Sequence, residues 1–422
     1  MKPAVSPVTA LTPSTDSTTN TLTGGTYNVT GTLQFNGANI VANAANITLT
    51  GSSSQIINQT TGNGLANFAI NNAGASFTIN GGRNFTTAGN FTNSGTLTVG
   101  ASNSKFKVNG NLTNFNSTTG TLTGGTYALT GTLQFNGANI KNNAANITLT
   151  GSSAKITNQT SGNGLANLAA NMSSGKFTVT GGQALSDGAT VLSNSGSLTV
   201  GKSSKLTLTA ATGAYKQTGG TTTVDGTLTA PGGITFSGGS VFGNGGTFSG
   251  KTTLSGGTFN IGDVAKTAGV ESITGAYTQS SGGLNIDIGG TTVGTKFDQL
   301  NIAGAAALNG TLNLGLLNGF VPTLGATFDI MNFASHGTST FSKITGTAIN
   351  GSEHFSVIYS AKNVTVDVVK GPGPVLSNGL LAHGSPSPVP EPGTLLLLGT
   401  GLLGLAAFVR RRRRLPVRID ER

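Results

Sequence analysis

Polar and apolar residues alternate in short bursts along most of this chain. Lys105-Phe106-Lys107-Val108 and Lys205-Leu206-Thr207-Leu208 are typical, with Gly, Asn and Ser close by on either side. A period of two over four residues marks a half-buried strand, and the flanking Gly and Asn supply turns. Successive bursts lie about 8–12 residues apart, a spacing that suits either a β-sandwich or the successive faces of a β-solenoid coil.

A duplication organises these bursts. Residues 21–67 return at 121–167 with 39 of 47 positions identical, including the whole run Gly31 to Ile40 as Gly131 to Ile140. The period is therefore 100 residues until a slip of one, because Asn93-Ser94-Gly95-Thr96-Leu97-Thr98-Val99-Gly100 matches Asn194-Ser195-Gly196-Ser197-Leu198-Thr199-Val200-Gly201. An added residue is tolerated in a turn, whereas inside a strand it would send every later side chain to the wrong face.

Composition weighs between the two architectures. A sandwich of this unit size needs a dense inner layer of large residues. Here 66 of 422 residues are Gly and only 6% are aromatic, and small inward candidates such as Ala, Val and Leu alternate with Gly. A solenoid needs less bulk, because each coil buries its inner face against its neighbours and recruits Gly and Asn for positive φ at its corners. Stacked Asn and Thr can also form ladders along the axis. The expectation is an all-β, right-handed parallel β-solenoid (β-helix) over 21–270, with about 20 residues per coil and roughly a dozen coils, or about 60 Å at the ~4.8 Å strand spacing.

Near residue 270 the texture changes. Leu312, Leu314, Leu316, Leu317, Phe320, Phe328, Ile330 and Phe333 bring larger apolar side chains, and carboxylates become more frequent. An open last coil would expose strand edges and core, so 271–370 reads as a terminal β unit that caps the stack. Residues 371–388, rich in Gly, Pro and Ser, read as a linker, and 1–20, rich in Pro, Ser and Thr, as a disordered N-terminal segment.

Charge and cysteine content narrow the function. Only 9% of residues are charged and none is Cys, which removes disulfide frameworks and Cys-ligated metal centres. The net charge of +10 arises in part from seven Arg at the extreme C-terminus, Arg410 to Arg414, Arg418 and Arg422. The other cations are scattered, so no nucleic-acid partner is expected.

The last 34 residues hold the most specific motif. Val389-Pro390-Glu391-Pro392-Gly393-Thr394 precedes an apolar run, Leu395 to Val409, and then Arg410, Arg411, Arg412, Arg413 and Arg414. This order resembles the PEP-CTERM sorting signal of Gram-negative bacteria, and the resemblance implies an exosortase-type membrane protease as partner. The 17 uncharged residues from Gly393 to Val409 reach the lower limit for one transmembrane helix, and the Arg cluster would hold the C-terminus inside. Pro390 and Pro392 keep Glu391 out of a helix, leaving an extended stretch that a protease cleft could accept. The sorting signal thus spans 389–414, with a cytoplasmic tail at 415–422 that runs past the family's usual basic end. Met1 to Asn20 has no apolar signal-peptide core, for which a truncated or misplaced start is the simplest account.

The body of the chain shows a second resemblance. Gly95-Thr96-Leu97-Thr98-Val99, the stretch Gly219 to Thr229, and Phe297 to Gly304 leading to Leu308-Asn309-Gly310-Thr311-Leu312 look like autotransporter passenger and haemagglutinin-like β-helices. The fold carries over from that family. Autotransport does not, since no segment after Lys370 is long enough for a membrane β-barrel.

Catalytic chemistry has few candidates. No Asp or Glu lies between Asp16 and Asp187, so the duplicated region lacks the two carboxyl groups that glycoside hydrolysis requires. Asp263, Glu271, Asp287, Asp298 and Asp329 could supply a pair nearer the terminal unit, but carboxylates on the solvated face of strands are the plainer reading. His336, His354 and His383 form no metal-ligand spacing, and Gly243-Asn244-Gly245-Gly246 lacks the Lys and helix of a phosphate loop, so it reads as a turn. No catalytic residue, cofactor or metal is expected. The resulting expectation is a non-enzymatic, structural or adhesive protein. It would be exported and held in the inner membrane as a precursor, then released to the cell surface or exterior, with extracellular polysaccharide as a further partner. A polysaccharide-acting enzyme on the same fold is the alternative.

Overall fold

The computed structural model describes residues 14–16, 18–262 and 267–371, and every regular element among them is a β-strand. The expected transmembrane helix, the linker beyond Gly371 and most of the N-terminal segment lie outside these residues. Strands related by one coil pair in parallel and in register. Ser197–Val200, Lys205–Leu208 and Ala214–Gln217 form one coil. Each pairs with its counterpart in the next, Thr221–Val224, Thr227–Thr229 and Gly233–Phe236. Three strands per coil define three faces. Parallel pairing between segments one coil apart is the solenoid arrangement, and it excludes the tandem sandwich, whose neighbours would be antiparallel.

Coil length is less uniform than the sequence suggests. Along the first face, Thr26 pairs with Asn46, Asn46 with Ser76, Ser76 with Thr96 and Thr96 with Thr126. Those are steps of 20, 30, 20 and 30 residues, so one 100-residue repeat is four coils. Within 21–270 this face has eleven layers, close to the expected dozen. The one-residue slip falls between Leu185 and Leu192, in the connection from Ala184–Asp187 to Val191–Asn194, outside either strand.

The core is a set of columns running along the stack. On the first face the inward position is Tyr27, then Ile47, Phe77, Leu97, Tyr127, Ile147, Phe177 and Leu198, each above the last. All of these are buried. Aromatics are few but concentrated: Phe68, Phe77, Phe85, Phe91 and Phe106 form one cluster with centroids 4.6–6.0 Å apart. Such pairs add about 0.5–1.5 kcal/mol each beyond the area they bury.

Polar ladders run beside the apolar columns. Asn43 Nδ2 donates to Asn71 Oδ1 at 2.9 Å, and Asn71 Nδ2 to Asn93 Oδ1 at 2.8 Å. The second repeat reproduces this with Asn143, Asn171 and Asn194 at 2.9 and 2.8 Å. An amide both donates and accepts, so identical residues stacked in register satisfy one another inside the core. The ladder ends at Thr222 in the first-face core column, whose hydroxyl meets Asn194 Nδ2 at 3.2 Å and Tyr215 Oη at 2.5 Å.

Glycines form a column of their own at one corner. From Gly175 through Gly196, Gly220, Gly239, Gly257 and Gly282 to Gly310, a Cβ added to each after the first would fall 2.0–2.8 Å from the carbonyl oxygen of the one before. Each of those oxygens already accepts the N–H of the residue that follows the next glycine, as Gly220 O does from Ser240 N at 3.0 Å. The high glycine content is in part a requirement for close approach between coils.

Parallel stacking continues through residue 270 to Lys343–Thr345. Antiparallel strands then close the end: Asn363–Lys370 pairs with Thr327–His336 and with Glu353–Tyr359. At the other end Ser14–Asp16 lies antiparallel to Thr21–Val29. Both ends of the described stack therefore finish in antiparallel pairing, which blunts further growth.

Candidate functional site

Val389, Pro390, Glu391, Pro392 and Arg410 to Arg414 all lie outside the described residues, as do Asp263 and His383. The titratable groups of the stack are therefore the ones with geometry to examine. Two of the candidate carboxylates depart from the solvated placement expected of them. Glu271 is fully buried and Asp298 is 1% exposed. Both are turned inward because the turns beside them present backbone N–H groups that need acceptors.

Asp298 is the best defined. Its Oδ1 accepts the N–H of Gly269 and its Oδ2 the N–H of Asp287, both at 2.7 Å. Burial, opposed by these two bonds and reinforced by the charge of Asp287, pushes its carboxyl up to about 8. Asp287 is half-buried on Gly283–Ile288, with Gly315 beneath it where a Cβ would come 2.3 Å from its Oδ1. The fold thus brings Asp287 and Asp298 side by side. Asp329, on Thr327–His336, stands apart among amides, and its carboxyl is raised by burial against bonds from Asn332 and Asn363.

Glu271 Oε1 accepts the N–H of Gly246 at 3.1 Å, and a Cβ on Gly243 would lie 2.6 Å from the same oxygen. The segment Gly243-Asn244-Gly245-Gly246 is the turn expected, wrapped around a carboxylate of the neighbouring coil. Asp225 holds the same turn from below, accepting the N–H of Asn244 at 3.0 Å.

Asp187 was not singled out by the sequence reading. It is buried, accepts the N–H groups of Leu168 and Ala189 at 3.1 and 3.0 Å, and burial raises its carboxyl to about 6. It is the last residue of Ala184–Asp187, just before the lengthened connection, and its carboxylate ties that connection to Leu168 of the neighbouring coil. The only signal in the sequence was that it is the first acid after a long acid-free stretch.

The described histidines are placed by backbone oxygens: His336 Nε2 meets Ser339 O, and His354 Nδ1 meets Gly371 O at 3.0 Å. Among the described residues no three His, Cys, Asp or Glu side chains cluster in a way that could hold a metal ion. A shallow depression of about 470 Å³ crosses Ser272–Thr274, Asn301–Ala303 and Asn332–Ala334, and its lining has no titratable side chain.

A parallel β-solenoid whose buried carboxylates bind turns is the class of molecule these observations define. Its destination is written elsewhere in the chain: residues 388–414 match the PEP-CTERM protein-sorting motif. That span includes every residue singled out for the sorting signal. The motif marks an exported protein, anchored by its C-terminus before processing by an exosortase-type membrane enzyme and surface-associated afterwards. No curated protein matches the chain.

Proposed function

We propose that this protein is a non-enzymatic structural or adhesive component of the cell surface or extracellular matrix, delivered there by its sorting signal. The observation that carries this reading is the joining of that signal to a stack whose buried acids serve backbone N–H groups: Asp187, Glu271 and Asp298 each accept at least one. Such acids hold turns at fixed spacing along the stack. A rigid column with long polar faces suits scaffolding and contact with extracellular polysaccharide.

The test is fractionation of a host with a functional exosortase, with a signal peptide supplied. The protein should appear at the surface or in the medium, and matrix cohesion should fall when its gene is removed. A cytoplasmic location under those conditions would refute the reading.

A second reading, a polysaccharide-acting enzyme, is favoured by one feature. Asp287 and Asp298 are adjacent, and burial raises the carboxyl of Asp298 to about 8, which suits a general acid. Polymer cleavage that disappears in Asp287→Asn would reverse the order of the two readings.

A further inference from the structure

The first face of the solenoid carries an outward pattern that neither sorting nor scaffolding requires. Its central outward column is Thr in every coil from Thr48 to Thr223 except the one holding Ala128. The column beside it, two residues earlier on each strand, runs from Asn46 to Thr221 in Asn, Ser and Thr, with Lys176 as its one charge. The second face differs, bearing Lys105, Lys155 and Lys205 at its outward positions. Between Asn46 and Thr223 these two columns carry no charge apart from Lys176.

The two columns differ in how they use their polar atoms. In the outer one, side chains bond along the axis: Ser76 Oγ donates to Asn46 Oδ1 at 2.8 Å, and Thr258 Oγ1 to Ser240 Oγ at 3.1 Å. In the central one, Thr48, Thr78, Thr98, Thr148 and Thr178 make no side-chain hydrogen bond to the described protein. Their hydroxyls are available to whatever lies on the face. β-Branching restricts χ1, so each Thr of the ladder has few rotamers with which to present its methyl and hydroxyl on the face. In-register parallel strands then repeat this group every ~4.8 Å along the axis, with the second column about 6.6 Å away along the strand.

We propose that this face is an ice-binding surface. A crystal of ice presents rows of oxygen atoms at a repeat close to the strand spacing of a sheet, and a rigid, uncharged, periodic array of hydroxyls and methyls can order water into that lattice. Charged side chains would hold their own hydration shells and break the match, and they are nearly absent from these columns. A sugar polymer is a poorer fit, because no aromatic ring stands at an outward position of the two columns between Thr26 and Thr223 to serve as a stacking platform.

The experiment uses the full chain in mild detergent, with detergent alone as the blank, and reads ice recrystallisation and the shape of a single ice crystal held just below melting. The protein should arrest grain growth and facet the crystal. Thr148→Lys with Thr178→Lys, on adjacent coils of the first face, should abolish both effects. Thr207→Lys with Thr229→Lys, adjacent on the second face, should leave both intact. Should the first pair disturb folding, seen as a loss of strand signal in circular dichroism, Thr148→Ser with Thr178→Ser removes the methyls and the χ1 restriction of β-branching and should also weaken both effects. The proposal is overturned if the unaltered protein leaves grain growth unchanged, if both Lys pairs behave alike in folded protein, or if the face retains microcrystalline polysaccharide and not ice.

Discussion

Substituting Gly239 with Ala tests the glycine corner directly. Gly239 has φ +71, and its added Cβ would stand 2.3 Å from Gly220 O and 2.9 Å from Gln217 Nε2, closer than the 3.0 Å that real Cβ atoms keep. A left-handed alanine costs about 1–2 kcal/mol on its own. Relief of the contact requires the two coils to separate near this corner, which stretches the 3.0 Å bond from Ser240 N to Gly220 O and loses about 0.5–1.5 kcal/mol. Gln217, fully buried, donates to Gly238 O at 2.9 Å and Ser240 O at 3.2 Å, and disturbing it adds about 1–2 kcal/mol. The total is about 2.5–5.5 kcal/mol. Gly137→Ala is the control, because Gly137 has φ +66 with open space around its Cβ and pays the backbone cost of about 1–2 kcal/mol alone. Stability in a solenoid is carried by contacts between neighbouring coils, so the damage should be local. Hydrogen exchange followed by mass spectrometry should show faster exchange in coils spanning 215–260 and unchanged exchange near residue 140. Equal effects of the two substitutions, or exchange that rises evenly along the stack, would refute the argument.

Removing one rung of the buried amide ladder should also be costly. Asn171→Ala takes an acceptor from Asn143 and a donor from Asn194, and a loss of about 2–4 kcal/mol in chemical denaturation is expected. Asp187 and Asp298 have carboxyls raised to about 6 and about 8 in the folded state, above the ordinary value of 3.8. Between pH 4 and 8 the folded chain therefore binds more protons than the unfolded one, so stability should fall as pH rises through that window. Melting temperature should be higher at pH 5 than at pH 8, and Asp298→Asn should flatten the upper part of the slope even if it lowers stability throughout. In the sorting segment, Pro390→Ala with Glu391→Ala and Pro392→Ala should leave membrane insertion intact and block processing, whereas Ser at Arg410 to Arg414 should weaken retention and orientation. Mass spectrometry of the mature chain checks both, and chains still ending at Arg422 in an exosortase-positive host would mean that the segment acts only as an anchor.

Residues close together in sequence were enough to read the all-β class, the inward parity of strands such as Lys105–Lys107 and the sorting segment, and comparison along the chain showed the 100-residue duplication. Lys105-Phe106-Lys107 declares its inward side by parity alone, and the match between 21–67 and 121–167 needs no structure to read. The tertiary structure decided what depends on the coil beneath. Asn71 becomes a ladder rung because Asn43 and Asn93 lie 28 and 22 residues away, and no regular period announces those distances. Gly239 is a corner residue because Gly220 O passes beneath it, while Gly137, similar in sequence texture, borders open space. Asp298 is buried for the same reason: its acceptors are needed by N–H groups 29 and 11 residues away, a demand set by how the coils stack. Local pattern specifies which side of a strand faces inward, and coil length, which varies from 18 to 32 residues along the first face, specifies what it meets there.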